Sequence, residues 1–310
     1  MTTVERSAVE PDAGRAATPR RPWTRDRVER RVFGVLRWVV IGGFLVATLV
    51  PFYYMLLLSV RPIESLLLEP GRLLPRFDEL TFTTYREVLT SVEDGGQGFL
   101  RFLLNSALVA VAAMVIALVV AIPGAYAVSR LRFTGHRKVS ALFLGVYLFP
   151  ATLLAVPLFV MFAKVGLQGS LIGLIIVYIA QTVPVAIYML RSYFSTVPVS
   201  IEEAAAIDGL SRFQILRKVV LPLAAPSVMA TSLYVFMIAW NEFLFALLFL
   251  AAEPDHWTVS LGLQQLANGV EVPKTVLMAG SVVLTLPVVL MFYGAERLLT
   301  EGLTSGADKG

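Results

Sequence analysis

Cysteine is absent from the 310 residues, and histidine occurs only twice. Without cysteine the chain can form neither a disulfide framework nor a thiolate metal site. The two histidines, His136 and His256, lie in separate predicted loops and offer no pair of imidazole ligands. We therefore expect no metal in this chain, and an enzyme built on clustered histidines or a Ser-His-Asp arrangement inside a membrane is disfavoured.

Charged residues are also scarce, at 15% of the chain, whereas hydrophobic residues make up 57%. Soluble domains carry about 25% charged residues, and the mean hydropathy of this chain is +0.74. The composition predicts an all-α integral membrane protein in the cell membrane. A Gly-x-x-x-x-Gly-Lys-Ser/Thr phosphate loop is missing as well, so we expect that any ATP binds to another chain.

Six apolar runs approach the length of about 20 residues that crosses a bilayer core. They are Trp38–Leu58, Ser106–Val128, Val139–Phe162, Leu171–Leu190, Ser227–Leu250 and Val276–Tyr293. The longest connection outside them, residues 60–101, is loop-sized and rich in proline, glycine and charge. We therefore predict one polytopic membrane domain over residues 33–300, with six transmembrane helices.

Residues 1–32 form a basic tail rich in arginine, proline and alanine, which we expect to be disordered. A signal peptide and a nucleic-acid-binding arm are alternatives, but the next run has the full length of a span, and a positive-inside anchor accounts for the arginines. The second loop is also basic, which marks it as cytoplasmic: Arg130, Arg132, Arg137 and Lys138. Both termini, including a C-terminal tail at 301–310, then face the cytoplasm. Since membrane anchoring accounts for the basic tail, we expect no nucleic-acid partner.

The connection before the fifth run differs from the others because residues 200–222 are charged and compatible with helix. Glu203 and Asp208 flank an alanine-rich turn, Gly209 interrupts it, and Ser211 can cap a following helix. The pattern predicts two short helices with a bend. Such a segment either docks a soluble partner or lies on the lipid headgroups.

This segment resembles the cytoplasmic signature of permease subunits of binding-protein-dependent ABC importers, which reads Glu-Ala-Ala, three residues, Gly, nine residues, Ile-x-Leu-Pro. Val219 replaces the isoleucine, and the other signature positions match: Glu203, Ala204, Ala205, Gly209, Leu221 and Pro222. The resemblance implies the type I importer permease fold, in which the first short helix docks into a cleft of the ATPase subunit. It implies a coupling site that also includes Glu202 and Asp208, with Glu203 as the contact residue.

Three further stretches, residues 125–131, 240–243 and 302–307, resemble the carbohydrate branch of this family, and in particular the maltose-type second permease subunit. The resemblance implies import of a di- or oligosaccharide, or a related glycoside, by alternating access, with glycerol-phosphate and amino-acid cargo as alternatives. In maltose-type permeases the C-terminal tail reaches between the ATPase subunits, although Asp308 here replaces the apolar residue usual there. The implied contact residues are Gly302, Thr304, Ser305 and Gly306.

The resemblance also implies the partners. They are a second permease subunit, two ATPase subunits that bind ATP and Mg²⁺, an extracellular substrate-binding protein, the sugar and membrane lipid. The chain itself would then be a transport subunit, with no cofactor of its own. The external connections at 60–101 and 251–275 are candidate docking surfaces for the binding protein.

Asn241 and Glu242 stand out because polar residues are costly inside a span and face a cavity or another helix. One hypothesis places them on the substrate pathway, and the other gives them a hydrogen bond to the partner permease. Glu242 is also the strong candidate carboxylate for an ion-coupled secondary transporter. That alternative leaves the cytoplasmic signature unexplained.

Overall fold

The computed structural model describes residues 24–131, 133–269 and 272–307. The described residues contain helices and their connections but no strand, which confirms the all-α prediction. The α-helices are α1 Thr24–Val60, α2 Ile63–Leu68, α3 Thr83–Leu89, α4 Phe99–Arg130, α5 His136–Leu148, α6 Ala155–Lys164, α7 Leu171–Phe194, α8 Val199–Ile207, α9 Arg212–Ile215, α10 Leu221–Leu223, α11 Ala225–Asn241, α12 Leu244–Leu250, α13 Val259–Asn268 and α14 Lys274–Ala307.

Four described helices are long and apolar enough to cross a membrane: α1, α4, α7 and α14. Two further spans arise if each of two bent helix pairs counts as one span. Residues 141–148 and 151–164 meet at 78°, and residues 212–223 and 225–241 meet at 83°. With both pairs included, the described residues agree with the six-span prediction.

The third and fifth predicted runs are not continuous helices. The third breaks at Phe149, which takes an extended conformation (φ −75°, ψ 127°) before Pro150, because a proline disfavours helical geometry in the residue before it. The fifth, predicted as Ser227–Leu250, breaks at Glu242 and Phe243, between α11 and α12. Apolar composition alone does not show either break.

The predicted tails are shorter than expected. Helix α1 begins at Thr24, so residues 24–32 are helical rather than disordered, and the rest of that prediction, residues 1–23, lies outside the described residues. Helix α14 continues to Ala307 and includes most of the predicted C-terminal tail, whereas residues 308–310 lie outside the described part.

Residues 54–307 belong to a compact unit in which α4 is the central helix. It packs against α7 and α11, and α11 also contacts α7 and α14. One face of α4 carries fully buried alanines at helical spacing: Ala110, Ala113, Ala117, Ala121 and Ala125. Small side chains let membrane helices approach closely, which explains why this face of α4 can pack so tightly.

The buried apolar residues of this unit form two clusters. One surrounds Phe99, Trp240 and Phe249, toward the predicted outer side. The other lies at the predicted cytoplasmic end of α4 and α7, and it includes residues of the connection before the fifth run: Ala205, Ile215, Leu216, Val220 and Ala224. This connection is therefore packed into the membrane domain rather than joined to it loosely.

Candidate functional site

The segment 199–223 folds as two short helices with a bend, as predicted. Helix α8 ends before Gly209, whose φ of +84° is a left-handed conformation that glycine adopts without the Cβ clash. Ser211 then starts α9 with a capping box. Its Oγ accepts from the backbone N–H of Gln214 at 3.4 Å, and its own N–H donates to the Gln214 side chain at 2.8 Å.

The bend presents an exposed surface that we call the knob. It contains four of the predicted coupling residues: Glu203, Ala204, Asp208 and Gly209. Two large apolar side chains lie beside them, Ile207 at 86% exposure and Phe213 at 71%. Because exposed apolar groups rimmed by charge mark interaction sites, the knob has the character of a protein-binding surface. The signature alone gives no reason to include Ile207.

Glu202 and Ala205 do not belong to this surface, since both are buried. The Glu202 carboxylate accepts from Arg130 Nε at 2.6 Å and from the Tyr126 hydroxyl at 2.9 Å. Arg130 also donates from Nη2 to the backbone carbonyl of Val197 at 2.6 Å. Helix α8 thus turns the Glu202 side chain toward α4, and the predicted coupling role of Glu202 stays a prediction.

These contacts join α8 to the end of α4. The side chains of Arg130 and Glu202 are only 11% and 10% exposed, so their charges interact with little screening by water. In the sequence Arg130 is a topology signal and part of the stretch 125–131 that resembles the carbohydrate branch. Tyr126 and Arg130 lie four residues apart and therefore on one helical face. The sequence does not show that a buried glutamate lies opposite that face, because this depends on how α8 packs against α4.

The last two signature residues lie at the elbow between the knob and the fifth span. Leu221 is half-buried and Pro222 is exposed in α10. A π-helical turn, Leu216–Val220, precedes α10. The 83° bend to α11 follows directly.

Glu242 stabilises the break in the fifth span. Its carboxylate accepts from the backbone N–H of Phe245 at 3.0 Å and of Ala246 at 3.2 Å, and so caps the N-terminus of α12. The Tyr178 hydroxyl donates to the same carboxylate at 2.6 Å. The predicted interhelical hydrogen bond therefore exists, but its partner is Tyr178 of this chain.

This arrangement weakens the substrate-pathway hypothesis for Asn241 and Glu242. Both oxygens of Glu242 are used in capping, and Asn241 is exposed and donates to the Met237 carbonyl at 2.9 Å. A carboxylate fixed in this way is also a poor ion carrier, which disfavours the ion-coupled alternative. Among the described residues, no group of three or more histidine, aspartate or glutamate side chains could hold a metal ion.

The two predicted external docking loops lie against each other. Arg101, at the start of α4, forms an ion pair with Asp255, and Asn105 donates to the Asp255 carbonyl at 2.9 Å. Buried Arg61 organises the first loop by donating to the carbonyls of Ser65 at 3.0 Å and Arg72 at 2.9 Å. The loop exposes large apolar side chains: Leu67, Leu68, Leu74, Phe77 and Phe82.

The predicted ATPase-contacting tail, Gly302, Thr304, Ser305 and Gly306, lies in the last turns of α14. The side chains of this segment lie outside the described part of the chain. The proposed contact between the tail and an ATPase therefore stays a prediction.

Comparison with known proteins places the fold and the signature in one family. Residues 121–304 match the family described as binding-protein-dependent transport system inner membrane component. The Escherichia coli (strain K12) inner membrane ABC transporter permease protein YcjP is 40% identical over 86% of this chain and 93% of its own length. The trehalose/maltose transport system permease protein MalG of Thermococcus litoralis is 36% identical over 92% of this chain and 99% of its own.

A solved bacterial ABC transporter involved in the import of the acidic polysaccharide alginate contains a similar chain. The two chains superpose with a TM-score of 0.71 at 26% identity, over 87% of this chain and 97% of that one. The fold class and the resemblance predicted from the sequence are thereby confirmed. The chain belongs to the family of binding-protein-dependent transport system inner membrane components and is a multi-pass membrane permease subunit of an ABC transporter.

Proposed function

We propose that this permease imports a sugar of di- or oligosaccharide size, driven by ATP hydrolysis on separate ATPase subunits that dock on the knob. The observation that carries the proposal is the combination of an exposed knob with a buried link to the membrane domain. Glu203 and Asp208 are exposed for contact, while Glu202 ties the same helix to Arg130 at 2.6 Å.

This combination suits the transmission of motion. An ATPase that binds the knob displaces α8, and the Glu202–Arg130 ion pair transmits this displacement to the end of α4. Because α4 packs closely on α7 and α11, the helices move together and the membrane domain changes its opening. A helix that only lay on lipid headgroups would need no buried ion pair to α4.

The sugar assignment is supported by the relatives. The Thermococcus litoralis relative is named for trehalose and maltose, and a Mycobacterium tuberculosis relative that is 34% identical over 88% of this chain is named for trehalose. The chain of the alginate importer has the same fold. We therefore favour a di- or oligosaccharide, or a related glycoside, over glycerol-phosphate or amino-acid cargo.

The working complex in this proposal contains a second permease, two ATPase subunits with ATP and Mg²⁺, and an external substrate-binding protein. The binding protein docks on the paired external loops, where Arg101 meets Asp255. In this proposal both termini lie in the cytoplasm, and the end of α14 reaches the ATPases.

The proposal is tested by transport in proteoliposomes that contain the complete complex. We expect ATP-dependent accumulation of labelled trehalose or maltose, and loss of both ATPase capture and transport in Glu203→Lys. The matched control for ATPase capture is Glu64→Lys, which makes the same charge change at an exposed glutamate of the external helix α2, away from the knob, and should leave capture unchanged.

Equal ATPase capture by Glu203→Lys and wild type would refute docking on the knob. Transport of none of the tested disaccharides by an intact, ATP-hydrolysing complex would refute the sugar assignment and leave the docking result unaffected.

A further inference from the structure

Basic residues line a cavity of about 800 Å³ at the predicted cytoplasmic end of α4. The cavity lies between the end of α4 at Arg130 and the start of α5 at His136, and Val199 at the start of α8 also lines it. Ligand pockets commonly measure about 300–1,000 Å³, so the cavity has the size of a small-molecule site. The other lining residues are Ser129, Leu131, Phe133, Gly135 and Lys138.

The wall of this cavity carries a positive charge without a counter-charge. None of the described residues that line it is acidic. The charge of Arg130 is balanced by Glu202, whose carboxylate lies 2.6 Å from Arg130 Nε. Lys138 is exposed and forms no ion pair with the residues that the structure describes. The cavity therefore attracts an anion that this part of the chain does not supply.

The start of α5 adds to the positive potential. Helix α5 has 13 residues, and Gly135 occupies its N-cap with a φ of +91° and has no side chain that could accept from the N–H groups of the first turn. Such N-termini carry about half a positive charge and commonly hold phosphate groups. Nε2 of His136 donates to the Val128 carbonyl, which fixes the imidazole at the wall. A lysine and a helix N-terminus thus meet at one cavity, and both favour a phosphate group.

The position of the cavity along the spans indicates the source of the phosphate. Helix α4 crosses the membrane and ends at Arg130, and α5 leads into the bent third span. The cavity therefore lies where two spans reach the membrane surface, at the level of the phospholipid headgroups. Basic pockets between spans on the cytoplasmic side bind anionic headgroups. Phe133 in the wall is 40% exposed and offers an apolar surface next to the basic groups.

We propose that this cavity binds the phosphate of an anionic phospholipid from the cytoplasmic leaflet. Lys138 pairs with the phosphate, the first-turn N–H groups of α5 donate to its oxygens, and the ring of Phe133 packs against the apolar part of the lipid. Because Val199 belongs to α8 and Arg130 holds Glu202 of the same helix, the bound headgroup lies beside the attachment of the knob. The proposal depends neither on the cargo nor on ATPase docking.

Basic residues at the end of a span also have a simpler role, because positive charge alone orients the span. Orientation needs a charge near the span, but it needs no cavity around that charge. A diffuse surface charge attracts anionic lipids without holding one of them in place, whereas a site covers its own wall when it is occupied. The experiments below therefore measure occupancy of the wall.

The first test uses the absence of cysteine from this chain. Ser129→Cys places a thiol in the wall, and Ser195→Cys makes the same exchange at an exposed position at the end of α7, outside the cavity. The complex, with partner subunits that lack reactive thiols, is placed in nanodiscs of phosphatidylcholine with or without phosphatidylglycerol, and an uncharged maleimide is added. We expect phosphatidylglycerol to slow the reaction of Ser129→Cys about tenfold when nine-tenths of the sites are occupied. Ser195→Cys should react at the same rate in both lipids.

The second test adds Lys138→Gln to the Ser129→Cys chain. Loss of one lysine at the membrane surface should raise the phosphatidylglycerol content needed for half-maximal protection about fivefold. Lys218→Gln is the matched control, because Lys218 is exposed in the π-helical turn before α10 and does not line the cavity. This variant should need the same phosphatidylglycerol content as the unaltered Ser129→Cys chain.

Equal reaction of Ser129→Cys in both lipids would overturn the proposal, as would equal effects of Lys138→Gln and Lys218→Gln, which indicate only a diffuse surface charge. Protection by inorganic phosphate in pure phosphatidylcholine, with no further effect of phosphatidylglycerol, would refute a lipid as the ligand. Protection in phosphatidylcholine that requires the ATPase subunits would identify a protein contact instead. If Ser129→Cys fails to assemble, Phe133→Cys in the same wall takes its place.

Discussion

Arg130 and Glu202 form a nearly buried ion pair, with 2.6 Å between Nε and Oε1, that fastens α8 to the end of α4. Two adjacent glutamates thus have opposite surroundings, since Glu203 is exposed and Glu202 is buried. One helical turn therefore provides both the outer surface of the knob and its inner attachment.

Replacing Glu202 should destabilise the protein far more than replacing Glu203. Glu202→Gln leaves Arg130 buried without a counter-charge, and breaking such a pair costs about 3–5 kcal/mol. Glu203→Gln changes an exposed side chain and should stay within about 0.5 kcal/mol. The check is the free energy of unfolding of the purified chain in detergent, and equal effects of the two changes would contradict the role of the pair.

Gly209→Ala should weaken the bend in the knob. No atom would meet the added Cβ within 4 Å, but the φ of +84° costs a side chain about 1–2 kcal/mol. Gly294→Ala in α14 also has open space around the new Cβ and no positive φ, so it should be neutral or slightly stabilising. Thermal unfolding of both variants measures the cost of the backbone strain. ATPase capture by Gly209→Ala shows whether contacts with the ATPase are lost as well.

The alanine face of α4 should not accept a larger side chain. Ala117 is fully buried where α4 meets its neighbours, and overpacking there costs about 1–3 kcal/mol. Val119→Leu enlarges a side chain of the same helix that is 67% exposed, and it should have little effect. Unfolding midpoints in detergent measure the difference, and an undisturbed Ala117→Leu would show that α4 and its neighbours are not in close contact.

Removing the Glu242 carboxylate should loosen α12. Glu242→Ala loses the cap on the Phe245 and Ala246 amides and the hydrogen bond from Tyr178, at a cost of about 1–2 kcal/mol for the cap. Asn241→Ala removes one hydrogen bond from an exposed side chain and should cost less. Amide hydrogen exchange of residues 244–250 reports the loosening, and similar exchange in both variants would argue against the capping role.

The first external loop should lose order in acid. The hydrogen bond from Arg72 lowers the pKa of the Glu79 carboxyl below its ordinary value. A depressed pKa in the folded state means that the contact stabilises the loop above the ordinary pKa of about 4.3. That contribution is lost as the pH falls through the lower, folded-state pKa.

A spin label can follow this transition, because the chain has no cysteine of its own and Phe77 in the same loop is 89% exposed. A nitroxide at Phe77→Cys should become more mobile as the pH falls through the lowered pKa of Glu79, below the ordinary carboxyl value. In the Glu79→Gln background the label should have the same mobility at every pH. A wild-type loop that stays equally ordered in acid would show that this contact does not hold it.

Much of the architecture could be predicted from the sequence, because span length and charge bias are properties of short windows. The apolar runs, the bend at Gly209 and the cap at Ser211 all follow from local rules. The breaks at Phe149 and Glu242 do not follow from local rules. A proline follows Phe149, but prolines also occur inside continuous helices of this chain, as at Pro123 and Pro184. Whether a proline breaks a span depends on neighbours that the window does not contain.

The candidate site was predictable in its position but not in its orientation. The spacing of the signature identifies α8 and singles out Glu203, but only the packing of α8 against α4 shows that the neighbouring Glu202 faces inward.

The elbow between α10 and α11 relates a linear displacement of residues 212–223 to a tilt of α11. Because the two directions differ by 83°, a displacement of residues 212–223 along their own direction acts almost at right angles to the axis of α11. Helix α11 has 17 residues and is therefore about 25 Å long. Each 1 Å of travel at its cytoplasmic end, with the other end fixed, tilts it by about 2°. In the proposed complex, small movements of the ATPase docked on the knob would therefore tilt the span.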